Sequence, residues 1–298
     1  MSEGGFVARD QPLRALGYMS LAAGSFTAMN ALARGMGGVP WPSLALSRAV
    51  IGLAVALAVA RGRGATLRVR DQGVMWRRSL FGSAGMLCTF YALTHLPLST
   101  ATTLLNTTPL WIALAARVTL GERVGRAVGA ALALAFAGVV LIERPGMVSG
   151  DPAGLVALLA SAASAMAMVS LRRLSGESPE GVVVHFSAVA TGVMALATGL
   201  WWATEGAPRW PHGGEILGVF AMGLAATAGQ LALTRAYTLD RAARVGAAGW
   251  LQVVLAIGVD AAVFKHVPGA WAAAGIALVL LAGAALVADA RRDVSRAG

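Results

Sequence analysis

Apolar residues run through this chain in blocks of about twenty, separated by short polar corners. A helix rises 1.5 Å per residue, so about 20 mostly apolar residues cross the hydrocarbon core of a bilayer. Ten blocks meet that length, at roughly 13–34, 42–60, 77–95, 98–116, 124–142, 152–171, 181–203, 214–234, 243–264 and 269–288. Backbone polar groups in hydrocarbon need internal partners, so each block is expected as an α-helix. Short connections make consecutive helices antiparallel neighbours. The first block follows Arg9 and Arg14, as the core of a signal peptide would. It is long for that role, carries Asn30 and opens a series of nine more, so it is expected as a retained span.

The pattern repeats. The stretch ALTHLPLSTATTLLNTTPLWIALAARVTLGERVGRAVGAALALAFA, residues 92–137, finds a weak copy 144 positions later. Ala92 falls on Ala236 and Thr94 on Thr238, while Gly125, Gly129 and Ala133 fall on Gly269, Ala273 and Ala277. A repeat of this length describes architecture before chemistry. It divides the chain into residues 1–145 and 146–298, five spans each. An odd number of spans inverts the second copy in the membrane, the arrangement of many transporters that open to one side and then the other. The expected fold is therefore an all-α integral membrane protein of two inverted five-helix repeats around a central cavity.

Charge orients it. The composition is 57% hydrophobic and 13% charged, with mean hydropathy +0.69, too little polar surface for a soluble globule. The net charge of +10 comes from basic residues in short groups between apolar blocks, not from a basic face that would fit nucleic acid. With the N-terminus inside, nineteen of the 24 basic residues fall on the cytoplasmic side, four outside (Arg34, Arg144, Arg209, Lys265), and Arg48 lies within a span. Both termini are thus expected in the cytoplasm. The lone Cys88 forms no disulfide within the chain, and the single lysine, Lys265, precedes His266 instead of the Ser or Thr of a phosphate-cradling loop. There is no HExxH or GxSxG motif, and the four histidines stand on separate segments or in loops. No enzyme activity, cofactor or metal is expected.

Candidate chemistry gathers where the helices break. Pro109 lacks an N–H, leaves the Leu105 carbonyl without its helical partner and bends the fourth block near mid-membrane. Asn106, Thr107, Thr108 and Trp111 flank it. The equivalent place in copy two holds Trp250 and Gln252, with Gly246 and Gly249 nearby. Two facing breaks at one depth are where a transporter holds cargo. The alternative is a kink filled by threonine hydroxyls. Asn30, Thr89, Tyr91, His95, His185 and Gln230 add polar atoms within or at the ends of spans, either as cargo contacts or as helix–helix hydrogen bonds. Arg48 reads as a buried structural cation, a partner for a cargo carboxylate or a snorkelling side chain. Asp260 and Glu122 are the candidates for coupling; a carboxylate at depth costs about 2.5–3.5 kcal/mol. The ladders Gly125–Gly129–Ala133 and Gly269–Ala273–Ala277 are expected to pack the fifth and tenth helices together, with a homodimer seam as the alternative. Trp76, Trp201, Trp202 and Trp210 read as interfacial anchors.

The run ALTHLPLSTATTLLNTTPLW followed by Gly121-Glu122-Arg123, the Gly/Ala helix ending in GVVLI, the segment LSRAVIGL around Arg48, and AYTLDRAARVGAAGWLQVVLAIGVDAAVF in copy two resemble the drug/metabolite transporter superfamily, in its ten-helix EamA-type branch. The resemblance implies a basket-like bundle around a central cavity that exports small metabolites. Within the branch, the WLQVVLAIG helix is most similar to exporters of aromatic amino acids. Copy two departs from the family pattern at His266, where Glu is usual, and at Val253, where Pro is frequent, which weakens a coupling role at that corner. The expected function is export of aromatic and other neutral amino acids, or related small metabolites, by alternating access. A drug or nucleotide-sugar carrier on the same fold, or an intramembrane enzyme or lipid-handling scaffold, are the alternatives. The expected setting is a bacterial-type inner membrane, the expected partners a small-molecule substrate and the bilayer, and the expected state a monomer.

Overall fold

A computed structural model describes residues 11–36, 39–95, 104–105, 107–121, 125–143, 152–206, 209–263 and 269–297. The described residues form eleven helices and no strands: α1 (Pro12–Gly35), α2 (Trp41–Gly62), α3 (Gln72–His95), α4 (Thr108–Leu120), α5 (Arg126–Glu143), α6 (Pro152–Arg173), α7 (Pro179–Glu205), α8 (Gly214–Leu239), α9 (Ala242–Ala248), α10 (Leu251–Ala262) and α11 (Ala270–Ala297). Five stretches are long and apolar enough to cross a membrane: Trp41–Gly62, Ala153–Arg173, Pro179–Glu205, Gly214–Leu239 and Ala242–Val259, the last running through α9 and α10. Proline opens α1, α2, α4 and α7 at N1 or N2, where its missing N–H costs nothing. Ser178 caps α7 by accepting the Gly181 N–H, and Gly121 ends α4 in the left-handed conformation at φ 66°.

Two of the apolar blocks are interrupted. The fourth apolar block is interrupted before α4, with Leu104 and Leu105 helical on the other side. The Thr107 hydroxyl donates to the Leu104 carbonyl at 2.6 Å and the Thr108 hydroxyl to the Leu105 carbonyl at 2.7 Å. Threonine thus satisfies the acceptor that Pro109 orphans. The ninth block breaks between α9 and α10, where the Gly249 N–H closes back on the Gly246 carbonyl in a tight turn. Gly246 lies against Ile112 of α4, so the two interrupted segments pack on each other and a side chain there would press on Ile112.

The helices pair in a definite pattern: α1 with α8, α3 with α6, α2 with α7, and α5 with α11. Close approaches mark these seams. Gly85 of α3 meets Ser164 of α6, and Gly229 of α8, 144 positions later, meets Phe26 of α1. The α5–α11 seam gathers Ala131, Ala135 and Gly138 against Gly275, Val279 and Ala282, again residues 144 apart in order. The ladders expected to form this seam do not. Gly125, Ala133, Gly269, Ala273 and Ala277 are exposed. Small residues fill several stripes of these Ala-rich helices, and the stripe containing Gly138, where backbone meets backbone, is the one that is buried.

The largest apolar cluster draws on α1, α3, α4, α6, α7, α8 and α9, with Met19, Met75, Ile112, Leu171, Leu174 and Tyr237 among its members. It occupies the arginine-rich end of the bundle. There Arg63 and Arg235 each reach Glu180 at 2.7 Å, and Arg244 reaches Asp240 at 3.1 Å and Asp289 at 3.2 Å. Arg172 donates to the Thr238 carbonyl and Arg173 to that of Thr119. This end is sealed by packing and tied across its rim by charge.

Candidate functional site

A small cavity of about 30 Å3 lies between α2, α3, α7 and α8. Its walls are Arg48, Ala49 and Gly52 of α2, Met86 of α3, Phe186, Ser187 and Ala190 of α7, and Ala226, Thr227 and Gln230 of α8. Each helix contributes from its middle turns, so the cavity sits at mid-height among apolar spans. Two of the polar residues singled out from sequence, Arg48 and Gln230, meet here. Arg48 donates to the Met86 sulfur at 2.7 Å, a weak acceptor, and its buried Nε has no hydrogen-bond partner among the described residues. The Gln230 amide nitrogen is likewise buried and unpartnered. Thr227 turns its hydroxyl proton to the Gly223 carbonyl and leaves its oxygen lone pairs free to accept. A guanidinium and an amide therefore present unspent donors to one space that is the size of a single water.

A second buried cation lies beside the first. Arg78, grouped by sequence with the basic corner before α3, belongs to that helix and is only 1% exposed. Its guanidinium carbon stacks 4.2 Å from the centroid of Phe186, while its Nε and Nη1 have no hydrogen-bond partner among the described residues. Gly82, one turn on, makes the room, since a side chain there would collide with the guanidinium. Phe186 thus separates Arg78 from the cavity that Arg48 lines. No described carboxylate neutralises either arginine; the acids of the charged rim are engaged with Arg63, Arg235 and Arg244. Arg78 was invisible as a site residue because its place near a charge-rich corner, Arg77-Arg78, looks like any cytoplasmic boundary. The signal was Ser79, Ser83 and Gly82 following it, small residues that leave a cavity for a long side chain.

The other candidates are distributed elsewhere. His185 faces α3, 2.9 Å from the Ser79 hydroxyl and edge-on to Trp76 at 4.9 Å. Thr107 is occupied at the break: its oxygen accepts from the Trp111 indole at 3.2 Å and stands 2.9 Å from the Ser161 hydroxyl. Trp250 is 1% exposed and packed in the cluster of α5, α10 and α11, away from the Arg48 cavity. Gln252 is half-buried, its carbonyl 3.5 Å from the Thr27 hydroxyl. Asn30 and Tyr91 are exposed on α1 and α3, and Pro109 is buried in the first turn of α4. Asn106 and Glu122, and the side chains of His95 and Asp260, lie outside the described residues. Among the described residues, no group of three His, Cys, Asp or Glu side chains is placed to hold a metal.

Comparison with known proteins defines the class. A model of the EamA-like transporter family matches residues 11–144. The pseudopaline exporter of Pseudomonas aeruginosa is 30% identical over 89% of this chain and 93% of its own length. A riboflavin transporter of Rhizobium johnstonii is 30% identical over 70% of this chain and 68% of its own. A crystal structure at 23% identity superposes with a TM-score of 0.76 over 94% of this chain and 96% of that one, a likeness of fold. The chain belongs to the EamA-like transporter family of the drug/metabolite transporter superfamily: it is a multi-pass membrane transporter of small metabolites.

Proposed function

We propose that this chain exports amino acids, or closely related metabolites bearing a carboxylate, across a bacterial inner membrane by alternating access. Cargo binds between two inverted five-helix halves, residues 1–145 and 146–298, with both termini in the cytoplasm. The carrying observation is the convergence of Arg48 and Gln230, each with a buried donor unsatisfied among the described residues, on a cationic cavity that no described carboxylate neutralises. A carboxylate supplies what those donors lack. Its binding recovers a bidentate charge-assisted contact and removes the cost of a lone buried cation.

Several features support the two-halves reading. The helix pairings map onto themselves when the first five spans are exchanged for the second five: α1–α8 becomes α6–α3, while α2–α7 and α5–α11 are self-paired. Gly85 and Gly229, and the two faces of the α5–α11 seam, keep the 144-residue register. The apolar cluster at the arginine-rich end acts as a thick inner gate. The cavity is too small for any amino acid, so loading requires α2, α3, α7 and α8 to separate around it. That the pseudopaline relative is named an exporter supports the direction of transport.

Purified protein in proteoliposomes, preloaded with an unlabelled compound and challenged with labelled amino acids, tests the reading by counterflow. Saturable exchange that Arg48→Ala abolishes is the expected result. Absence of flux for every carboxylate in the panel, with folded protein, refutes the substrate class. The riboflavin transporter among the relatives supports a second reading, a carrier of larger aromatic metabolites, and including flavins in the competition panel separates the two.

A further inference from the structure

A groove of about 580 Å3 opens at the arginine-rich end, between α1, the start of α7 and the end of α8. Its upper wall is polar: Gln11, Arg14, Tyr18 and Arg235. Its deeper wall is apolar: Gly17 and Leu21 of α1, one and two turns further into the helix. This volume lies in the range of about 300–1,000 Å3 usual for small-molecule sites.

The groove faces outward from the bundle. On α8, residues Leu217, Phe220, Leu224 and Ala228 form an exposed stripe at helical spacing that continues through Leu231 to Arg235. On α1, Leu13, Arg14, Gly17 and Leu21 are exposed, while Ala15, Met19 and Ala22 on the opposite face enter the central apolar cluster. An exposed stripe of this kind on a membrane span contacts lipid. Arg14 and Arg235 therefore cap a surface that becomes hydrocarbon-facing one turn deeper, and nothing stands beside Gly17 within 4 Å.

Among the described residues, the charge here is unbalanced in favour of an anion. Arg235 shares the single carboxylate of Glu180 with Arg63, so two cations face one anion. Among the described residues, Arg14 bonds the neutral Gln11 amide oxygen, at 2.9 Å. Tyr18, whose ring lies 5.9 Å from the Arg235 guanidinium carbon, adds a hydroxyl to the same wall. We infer that this groove binds one anionic phospholipid from the leaflet at the arginine-rich end. Arg14, Arg235 and Tyr18 hold the phosphate, and an acyl chain lies over Gly17 and Leu21 toward Leu224 and Phe220. The combination of cationic head and apolar track is the chemistry of anionic lipid recognition on membrane proteins. The groove lies on the outer surface of the bundle and shares no lining residue with the Arg48 cavity.

Full-length protein in a neutral detergent, titrated with phosphatidylglycerol, phosphatidylcholine or glycerol 3-phosphate, tests it through thermal unfolding and native mass spectrometry. Phosphatidylglycerol is expected to raise the melting temperature beyond phosphatidylcholine and to remain bound as one retained adduct, while glycerol 3-phosphate does neither. Arg14→Gln removes an exposed charge and Gly17→Trp fills the groove at an open position; both are expected to lose the phosphatidylglycerol-specific shift while melting like the parent in phosphatidylcholine. Equal shifts from the two lipids, an equal shift from glycerol 3-phosphate, or full retention of the shift in both variants overturns the inference.

Discussion

Replacing Arg78 with methionine is expected to make the protein more stable and less active at once. The guanidinium is 1% exposed, two of its nitrogens have no hydrogen-bond partner among the described residues, and no described carboxylate pairs with it. Burying a cation costs several kcal/mol even after relaxation, and an orphaned donor adds about 1–3 kcal/mol. Against this stands the stack on Phe186, about 2 kcal/mol when desolvated. Methionine keeps the apolar stem, fills the space beside Gly82 and removes the charge. The balance favours the variant by about 1–3 kcal/mol, within the range of up to about 4 kcal/mol seen when buried ion pairs give way to apolar side chains of similar volume. At about 2–4 °C per kcal/mol, the melting temperature should rise by roughly 2–12 °C. Thermal unfolding in detergent, followed by intrinsic fluorescence, reads the first effect, and proteoliposome counterflow reads the second. If the cation is kept because cargo meets it after Phe186 swings aside, flux falls while stability rises. A variant that melts below the parent shows that Arg78 is satisfied in the folded protein and refutes the cost assigned to its orphaned donors. A variant that is stabilised with normal flux removes Arg78 from the transport path and leaves Arg48 alone.

Asp240→Asn should be the most damaging single change at the charged rim, costing about 2–4 kcal/mol, because it strips the fully buried partner from the 3% exposed Arg244 side chain and leaves it Asp289 alone among the carboxylates described beside it; chemical denaturation measures it. Glu180→Gln, by contrast, should cost only about 1–2 kcal/mol, since Arg63 is more than half exposed and rehydrates, and the same denaturation series compares the two. Gly85→Ala places a methyl 2.7 Å from the Ser164 hydroxyl and should destabilise the α3–α6 seam by about 1–3 kcal/mol, with partial rescue by Ser164→Ala. Thr108→Val should cost about 1–2 kcal/mol by orphaning the Leu105 carbonyl at the break, while Thr108→Ser retains stability in the same melt.

Much of this protein was legible before any coordinates. Hydrophobic block length marked an all-helical, multi-pass membrane protein, because bilayer thickness fixes how many apolar residues a spanning helix needs. Pro109 opens α4 and Gly249 ends α9, because a missing N–H and weak helix formers act locally. Gly85 and Gly229, 144 positions apart, both sit at close helix contacts.

What the sequence left undecided was facing. A polar residue in an apolar helix has the same local context whether it lines a cavity, bonds a neighbour or is sealed in a core. So Thr107 and Trp111 were named beside Arg48 and Gln230, yet the fold uses the first two to close a helix break and brings the second two to one cavity. Trp250, expected beside the cargo, is packed between helices, and the small-residue ladders of α5 and α11 face outward while a neighbouring stripe makes the contact. Arg78 reads along the chain as one more boundary charge; only the approach of Phe186 from α7, 108 residues away, makes it a buried cation. Spans and breaks are set by interactions within a few turns and by the solvent around them. The site is set by which faces of separate helices meet, and that is decided by close packing over the whole bundle.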